Sequence, residues 1–527
     1  MVRKRQADLI GRLSSPEELI HMFKVVVLVS VPKSPAWVTE IIARLAKSSD
    51  VSVCPAAVRV KKHNDVPVYL RLLLRMQHYF VPGRPAWWQP VVVQAGDWMD
   101  ADVVVNPFRL INDKAVDHRT PLGSLYICVD EYRSDVSAGV LSAWVQGRSW
   151  VMVSVMQHLP DQRVERMIVR AKTRLDLLSF PRSLAAVYSR VIDLTEDAVH
   201  ALASQTCKEP FSPVEVHTPR APFPLLPLLL FGWRIALRMF RSVFFEERWV
   251  LLSFLLKESE RSGVGIRSVF YDYSRRRMIE PPPGFFWADP FLVEHQTQRF
   301  LFFEEADVRT GKGHLACFVY GDEPSSRRII LKEKHHLSYP FVFCRNGSWY
   351  MIPESAENES IDLYEAVEFP WRWEKRKTLF AGIRAYDVTV YETDDRIWLF
   401  CTVARSAGGP PNDDLFLFHA DDLLNGKWIP HTANPVVRGA DRARPAGRIF
   451  RNGGDLIRPS QIGIPRYGYG IVLNRIVELT DTIYREEPIE KILPNRLGAE
   501  FQAVHTWNTS GSILVMDAVR RRFRRRH

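Results

Sequence analysis

The sequence predicts a multidomain protein: an N-terminal α/β domain with a mostly parallel sheet, then a C-terminal all-β five-bladed β-propeller. Three observations predict it. Short, nearly continuous apolar runs alternate with helical patterns across residues 23–205, as in sheets covered on both faces. After residue 245 a strand-pair unit recurs five times, at the spacing of roughly 50 to 60 residues expected of propeller blades. Turn residues separate the paired strands: Asn346-Gly347, Asp394-Asp395, Asn452-Gly453-Gly454 and Ser510-Gly511. Hydrophobic residues make up 46% of the 527 and charged residues 25%, enough to bury cores of ordinary size.

The N-terminal domain is expected at 23–205, after a polar leader. Its first strand is the apolar run Phe23–Ser30, and a helix starts at Pro35. Further strands are expected at Val51–Val60, Val91–Gln94, Asp102–Phe108 and Leu125–Val129. The turn after the first strand reads Val31-Pro32-Lys33-Ser34, so no G-x-G-x-x-G follows it, and no G-x-x-x-x-G-K-[ST] occurs. A nucleotide site of either kind is not supported.

Residues 206–244 read as a linker rich in Pro, Phe and Leu. Its run Pro222–Gly232 is too short and too proline-broken to span a bilayer. Trp233–Phe245 reads as a helix, with Arg234, Arg238 and Arg241 on one narrow face and Ile235, Met239, Phe240, Val243 and Phe244 over much of the rest. That is the pattern of a helix lying on an anionic membrane surface; an interdomain helix packed on the propeller reads the same way. The net charge of +11 favours acidic partners. Six of the last eight residues are arginine, a basic tail (519–527) that is either solvated or in contact with anionic lipid. Nucleic acid is not an expected partner, because no recognition module accompanies the tail.

The six cysteines form no C-x-x-C pair, and the charged first 24 residues lack an apolar signal core. Neither a zinc site nor a disulfide framework is expected. A reducing, cytoplasmic setting is, with the basic helix giving a place at the periphery of the inner membrane. No metal is expected, and no motif identifies a cofactor.

The propeller is expected over 245–518. Its units are Trp287–Glu305, Tyr339–Ser355, Tyr386–Val403, Arg444–Gln461 and Phe501–Ala518. The fifth holds only two strands. Trp249–Leu256 and Ser268–Arg276 can supply its outer strands, so that both ends of the domain close the ring and no edge is exposed. Trp287, Tyr350 and Trp398 suit packing between blades.

The segments FFWADPF, YMIPES, FPWRWEKRKTLF, ARPAGRIF, RPSQ and RYGYGI resemble the N-terminal propeller domain of glucosamine inositolphosphorylceramide transferases, over about half of the chain. More distantly the blades are similar to family 43 glycoside hydrolases. Val25–Val51 and Thr173–Leu194 resemble a degenerate formyltransferase-like domain, its first βα unit and a late helix. The residues serving formyl transfer are not visible, and His118-Arg119-Thr120-Pro121-Leu122 is a poor substitute.

A propeller brings the first strands of its blades around one axis, so residues opening those strands converge. Asp289 and Asp387 hold this position. The resemblance to glycoside hydrolases implies a general base and an orienting, pKa-tuning carboxylate there, with a Glu general acid from a later blade. In blade four Arg444 stands where that acid would be, and Arg458 opens the next strand in the same Arg-Pro context. An arginine cannot give up its proton usefully but can bind phosphate or carboxylate. Glu354 of blade two and His505 of blade five complete the expected group. The resulting expectation is a carbohydrate-active protein of glycan or glycolipid biosynthesis. Asp289, Asp387 and Glu354 are its candidate catalytic residues. Arg444, Arg458 and His505 would bind a charged sugar or lipid-linked glycan. Two alternatives stand beside it: a non-catalytic scaffold propeller, and a glycoside hydrolase using Asp289, Asp387 and Glu354.

Overall fold

The computed structural model describes residues 22–30, 33–58, 88–90, 101–107, 120–159, 165–204, 225–257, 275–405 and 414–524. The expected strand at Val91–Gln94 and residues 206–224 of the linker lie outside them, as do His118 and Arg119.

In the N-terminal domain, Val51–Val58, Phe23–Ser30, Val103–Val105 and Ser124–Val129 lie side by side and parallel. Trp150–His158 and Glu165–Arg174 then extend the sheet antiparallel. The sheet is therefore mixed, and its parallel core is the part that periodicity revealed. Helix α1 (Ala36–Leu45) begins after Pro35, a residue whose fixed φ and missing N–H suit a helix start. Helix α2 (Val136–Val145) is capped by Asp135, which accepts from the Ala138 N–H at 2.9 Å. Helix α3 (Phe180–Ala203) is capped by Ser179. The expected helix over Thr173–Leu194 thus begins later, because Thr173 and Arg174 still pair with Val151 and Trp150. The core between sheet and helices is almost wholly aliphatic, with Trp144 and Phe180 in T-shaped contact at 5.6 Å.

Helix α4 (Leu225–Phe244) joins the domains. It starts eight residues before the sequence reading placed it. Pro227 falls in its first turn, where no backbone N–H is needed. No helix among the described residues is long and apolar enough to cross a membrane.

Five antiparallel sheets follow. Blades one to four start at Phe285, Ser338, Ala385 and Phe450 in their assigned strands. The fifth is closed from both ends: Ile513–Phe523 pairs with Phe245–Leu255, which pairs with Arg276–Ile279. Closure by Trp249–Leu256 was legible; the outermost strand is Arg276–Ile279, and most of Ser268–Arg276 lies outside the described residues. The last strand also takes in part of the expected tail. Arg520, Arg521 and Arg522 sit opposite Arg248, Glu247 and Glu246. Arg521 pairs with Glu247 at 2.8 Å, and Arg522 pairs with Glu246. The carboxylates facing it hold this stretch in the sheet. Trp287, Tyr350 and Trp398 are buried in three clusters, each bridging two blades.

Candidate functional site at the propeller axis

The innermost strands of blades one, two and three share one defect. Pairing slips between Ala288 and Phe291, between Ser338 and Phe341, and between Tyr386 and Thr389. Each slip is a β-bulge, and each holds a residue with positive φ: Asp289 (51°), Tyr339 (44°) and Asp387 (52°). Asp tolerates this region, but a tyrosine there is strained. Bulges re-aim side chains, and these three are buried together at the axis. Tyr339 donates its N–H to Asp289 Oδ2 at 3.2 Å.

A second set of polar residues comes from the neighbouring strands. Glu304 faces Ala288 and Glu354 faces Ser338 across their ladders. Gln461 and Asp517 approach the axis from blades four and five. Gln461 Nε2 donates to Asp387 Oδ2 at 2.6 Å. Asp517 is fully buried and accepts from the backbone N–H groups of Asp289, His505 and Thr506 at 2.9 to 3.0 Å. It thereby ties blade five to blade one.

The charges are arranged in two groups. In the first, Arg444 clamps Asp387 in bidentate fashion at 2.6 and 2.9 Å and reaches Glu354 Oε2 at 3.1 Å. Its guanidinium lies 5.3 Å from the Tyr386 ring and 5.2 Å from the Tyr467 ring. In the second, His505 Nδ1 lies 2.7 Å from Asp517 Oδ2 and 3.8 Å from Asp289 Oδ1. Its ring stacks on Trp249 at 4.2 Å. The ligand atoms of Asp289, His505 and Asp517 all lie within 4.8 Å of one another, a grouping able to hold a cation if His505 gave up its proton.

Burial drives these groups apart in proton affinity. Asp289 is pushed up to about 6 by desolvation, with the nearby carboxylates of Asp387 and Asp517 adding to it and His505 opposing. Glu354 lies well above the usual carboxylate range, because burial and the Asp387 charge outweigh Arg444. Glu304 is raised likewise by burial and by Asp289. Burial also opposes a charge on His505 and on Asp517, but each charge holds the other: the histidine is raised and the aspartate lowered. The site thus contains carboxylic acids beside carboxylates, the requirement for moving a proton at neutral pH.

Five of the six residues expected at the axis are brought together: Asp289, Asp387, Glu354, Arg444 and His505. Arg458 is not. It lies within blade four and binds Glu486 through two nitrogens at 2.7 Å, as well as the carbonyls of Ala443 and Arg442. Its strand position turns it toward its own sheet. Glu304, Gln461 and Asp517 went unrecognised in the sequence. Glu304 carried a usable signal, because it lies near the end of the second strand of its blade, as Glu354 does in the next. Thr120, the first described residue of the segment weighed for formyl transfer, hydrogen-bonds the Gly123 carbonyl at 3.2 Å.

Residues 278–514 match the family model described as "Glucosamine inositolphosphorylceramide transferase 1, N-terminal". A protein of Oryza sativa subsp. japonica, "Glucosamine inositolphosphorylceramide transferase 1", is 34% identical over 212 residues, 39% of this chain and 28% of that protein. The Arabidopsis thaliana protein of the same name is 33% identical over 231 residues, 43% of this chain and 29% of its own. The chain therefore spans less than a third of the length of these relatives. Among solved structures, the "Catalytic domain of Coprinopsis cinerea GH62 alpha-L-arabinofuranosidase" is 14% identical with a TM-score of 0.35, covering 46% of this chain and 94% of that one. That likeness is too loose to bear on function.

Proposed function

With its propeller a member of the glucosamine inositolphosphorylceramide transferase N-terminal-domain family, we propose that this protein works in glycan or glycolipid assembly and binds the sugar of its substrate at the propeller axis. One observation carries the reading: five buried carboxyl groups, Asp289, Glu304, Glu354, Asp387 and Asp517, gather with Arg444 and His505 around one axis. Buried charge is costly, and a fold built only to present an outer surface has no use for this much of it.

The sign of the charge matters. Arg444 is neutralised by the Asp387 carboxylate, and Arg458 by Glu486. Neither is left to meet a sugar phosphate or a uronic acid. A sugar that is neutral or carries an amino group suits the carboxyl-rich site better, and the relatives' printed name begins with glucosamine. Calorimetric titration of the whole protein with glucosamine-headed glycans, N-acetylglucosamine and glucuronic acid tests this. The amino sugar should bind best and glucuronic acid worst, and Asp289→Asn should weaken binding about tenfold or more, the loss of one charged hydrogen bond. If the wild type binds none of them at millimolar concentration, a scaffold role replaces the reading.

A second reading, chemistry at a glycosidic bond, is favoured by the split in proton affinity. Glu354 is an acid able to donate, and Asp289 is a base poised near 6. Release or transfer of sugar from a glycoside panel should then fall as the pH drops below about 6, where Asp289 takes up its proton. Activity that survives in Asp289→Asn removes this reading.

A further inference from the structure

We propose that helix α4 and the arginine-lined cleft beside it form a docking face for an anionic lipid bilayer, with the helix lying along the membrane surface. The cleft, about 2660 Å³, lies between the N-terminal domain, α4 and blade five. Ten arginines line it against four carboxylates, with no lysine or histidine among its walls. Some of this charge is internally balanced: Arg466 and Arg521 both hold Glu247, and Arg520 holds Glu280. Arg238, Arg241 and Arg524 are exposed and have no carboxylate in ion-pair distance among the described residues. They project beside an apolar ridge. Trp233, Met239, Phe240 and Val243 of α4 are 57–67% exposed. The ridge continues onto the last strand, where Phe244 lies 6.2 Å from Phe523, itself 63% exposed.

The helix is held in place at its midpoint and at its C-terminal end. Arg234 donates to the Gln146 carbonyl of α2 at 2.6 Å, and the Arg524 N–H donates to the Phe244 carbonyl at 2.8 Å. A tethered helix with its aromatic ridge in water, beside guanidinium groups that meet no carboxylate among the described residues, is costly for a protein surrounded only by solvent. At a bilayer both features gain: the ridge enters the acyl boundary and the arginines meet lipid phosphates. Charge complementarity selects this occupant over a second copy of the chain, because two such faces would bring their uncompensated arginines together. The cleft also shares a wall with the axial site. Tyr467 lines it, and its ring contacts both His505 and Arg444. If the sugar reading holds, a glycan on a lipid headgroup would reach the axis from this side. The docking itself does not depend on that reading.

Flotation of the whole protein with vesicles tests the proposal. Phosphatidylcholine vesicles containing about a third phosphatidylglycerol should carry the protein and pure phosphatidylcholine should not, with binding lost in 0.5 M salt as expected of screened charges. The triple variant Arg238→Gln/Arg241→Gln/Arg524→Gln should lower the vesicle affinity about a hundredfold. Trp233→Ser/Phe240→Ser should lower it at least tenfold, both variants keeping the wild-type circular dichroism spectrum. Three results would overturn the proposal: equal binding to neutral vesicles; binding of inositol hexakisphosphate with vesicle binding unaffected by Trp233→Ser/Phe240→Ser, which makes the cleft a site for a soluble anion; or a dimer in light scattering that Phe240→Ser dissolves while vesicle binding is absent.

Discussion

The two domains bury charge in opposite places. In the N-terminal domain the sheet-to-helix core is apolar, and the buried charges of α3 point outward. Arg190 meets Asp414 at 2.7 Å, and Asp197 receives Arg405 and Arg438 at 2.6 and 2.9 Å. All three partners belong to the propeller side, so this charge serves docking between domains. In the propeller one group of buried charges lies at the axis, where neighbouring blades meet, while a pair such as Arg458–Glu486 stays within its blade. The same residue types therefore do two jobs: between the domains they fix an interface, and at the propeller axis they form a buried polar cluster. Chemistry is to be sought in the second, because there raised and lowered carboxyl groups gather around one axis.

That contrast can be broken by experiment. The largest effect is expected at the axis. Arg444→Ala leaves Asp387 and Glu354 buried without their cation and should cost about 3–5 kcal/mol in urea unfolding; sugar binding should vanish with it. Arg458→Ala strands Glu486 at a similar cost, yet in protein that remains folded the sugar affinity should be unchanged. Equal loss of binding in both would erase the distinction between axis and blade interior. Next comes the interface. Arg405→Ala removes a cation shared by Asp197 and Asp414 and should cost about 3 kcal/mol, splitting a single calorimetric transition into two as the domains unfold separately. A single unshifted transition would show that these pairs do not couple the domains.

A smaller, pH-dependent effect belongs to His505. Its raised pKa means that the pairing with Asp517 stabilises the fold fully below the ordinary histidine value. The contribution is lost as pH rises through the higher folded value. The melting-temperature difference between wild type and His505→Asn should correspond to about 1–2 kcal/mol near pH 6 and shrink toward pH 9. A difference that grows with pH would mean that His505 is neutral in the fold. The smallest effect is expected at the half-exposed interdomain pair Lys172–Asp441. Lys172→Ala should change stability by less than about 0.5 kcal/mol, and a larger loss would show that the interface rests on its rim.

Much of the architecture was legible because it is periodic. The five strand pairs and the turn residues between them repeat, and Trp249–Leu256 is a nearly continuous apolar run suited to supply a missing strand. In the N-terminal domain the continuous apolar strands were legible, whereas the antiparallel pair Trp150–His158 and Glu165–Arg174 was not. Its outer strand, ERMIVRAKTR, is rich in charge, as an edge strand facing solvent can be. The start of α4 was missed because a proline was read as a break where it occupies a first turn.

At the site, the opening of the inner strands picked out Asp289, Asp387 and Arg444, because those positions face the axis in a closed ring, and Glu354 and His505 were added from blades two and five. Sequence position could not tell Arg444 from Arg458. Both stand before proline, but Arg444, outside any assigned strand, meets carboxylates 57 and 90 positions away, whereas Arg458, in the middle of Asp455–Ile462, finds Glu486 at 28. Nor did it find Asp517, whose partner Asp289 is 228 positions distant. The sequence by itself determined the number of blades, their order and the way the ring closes, since strand alternation and turn chemistry act over a few residues. Only the tertiary structure decided which charges neutralise each other and which remain for a ligand, since Coulomb energy in a buried site depends on distance through space, and no local pattern encodes that distance.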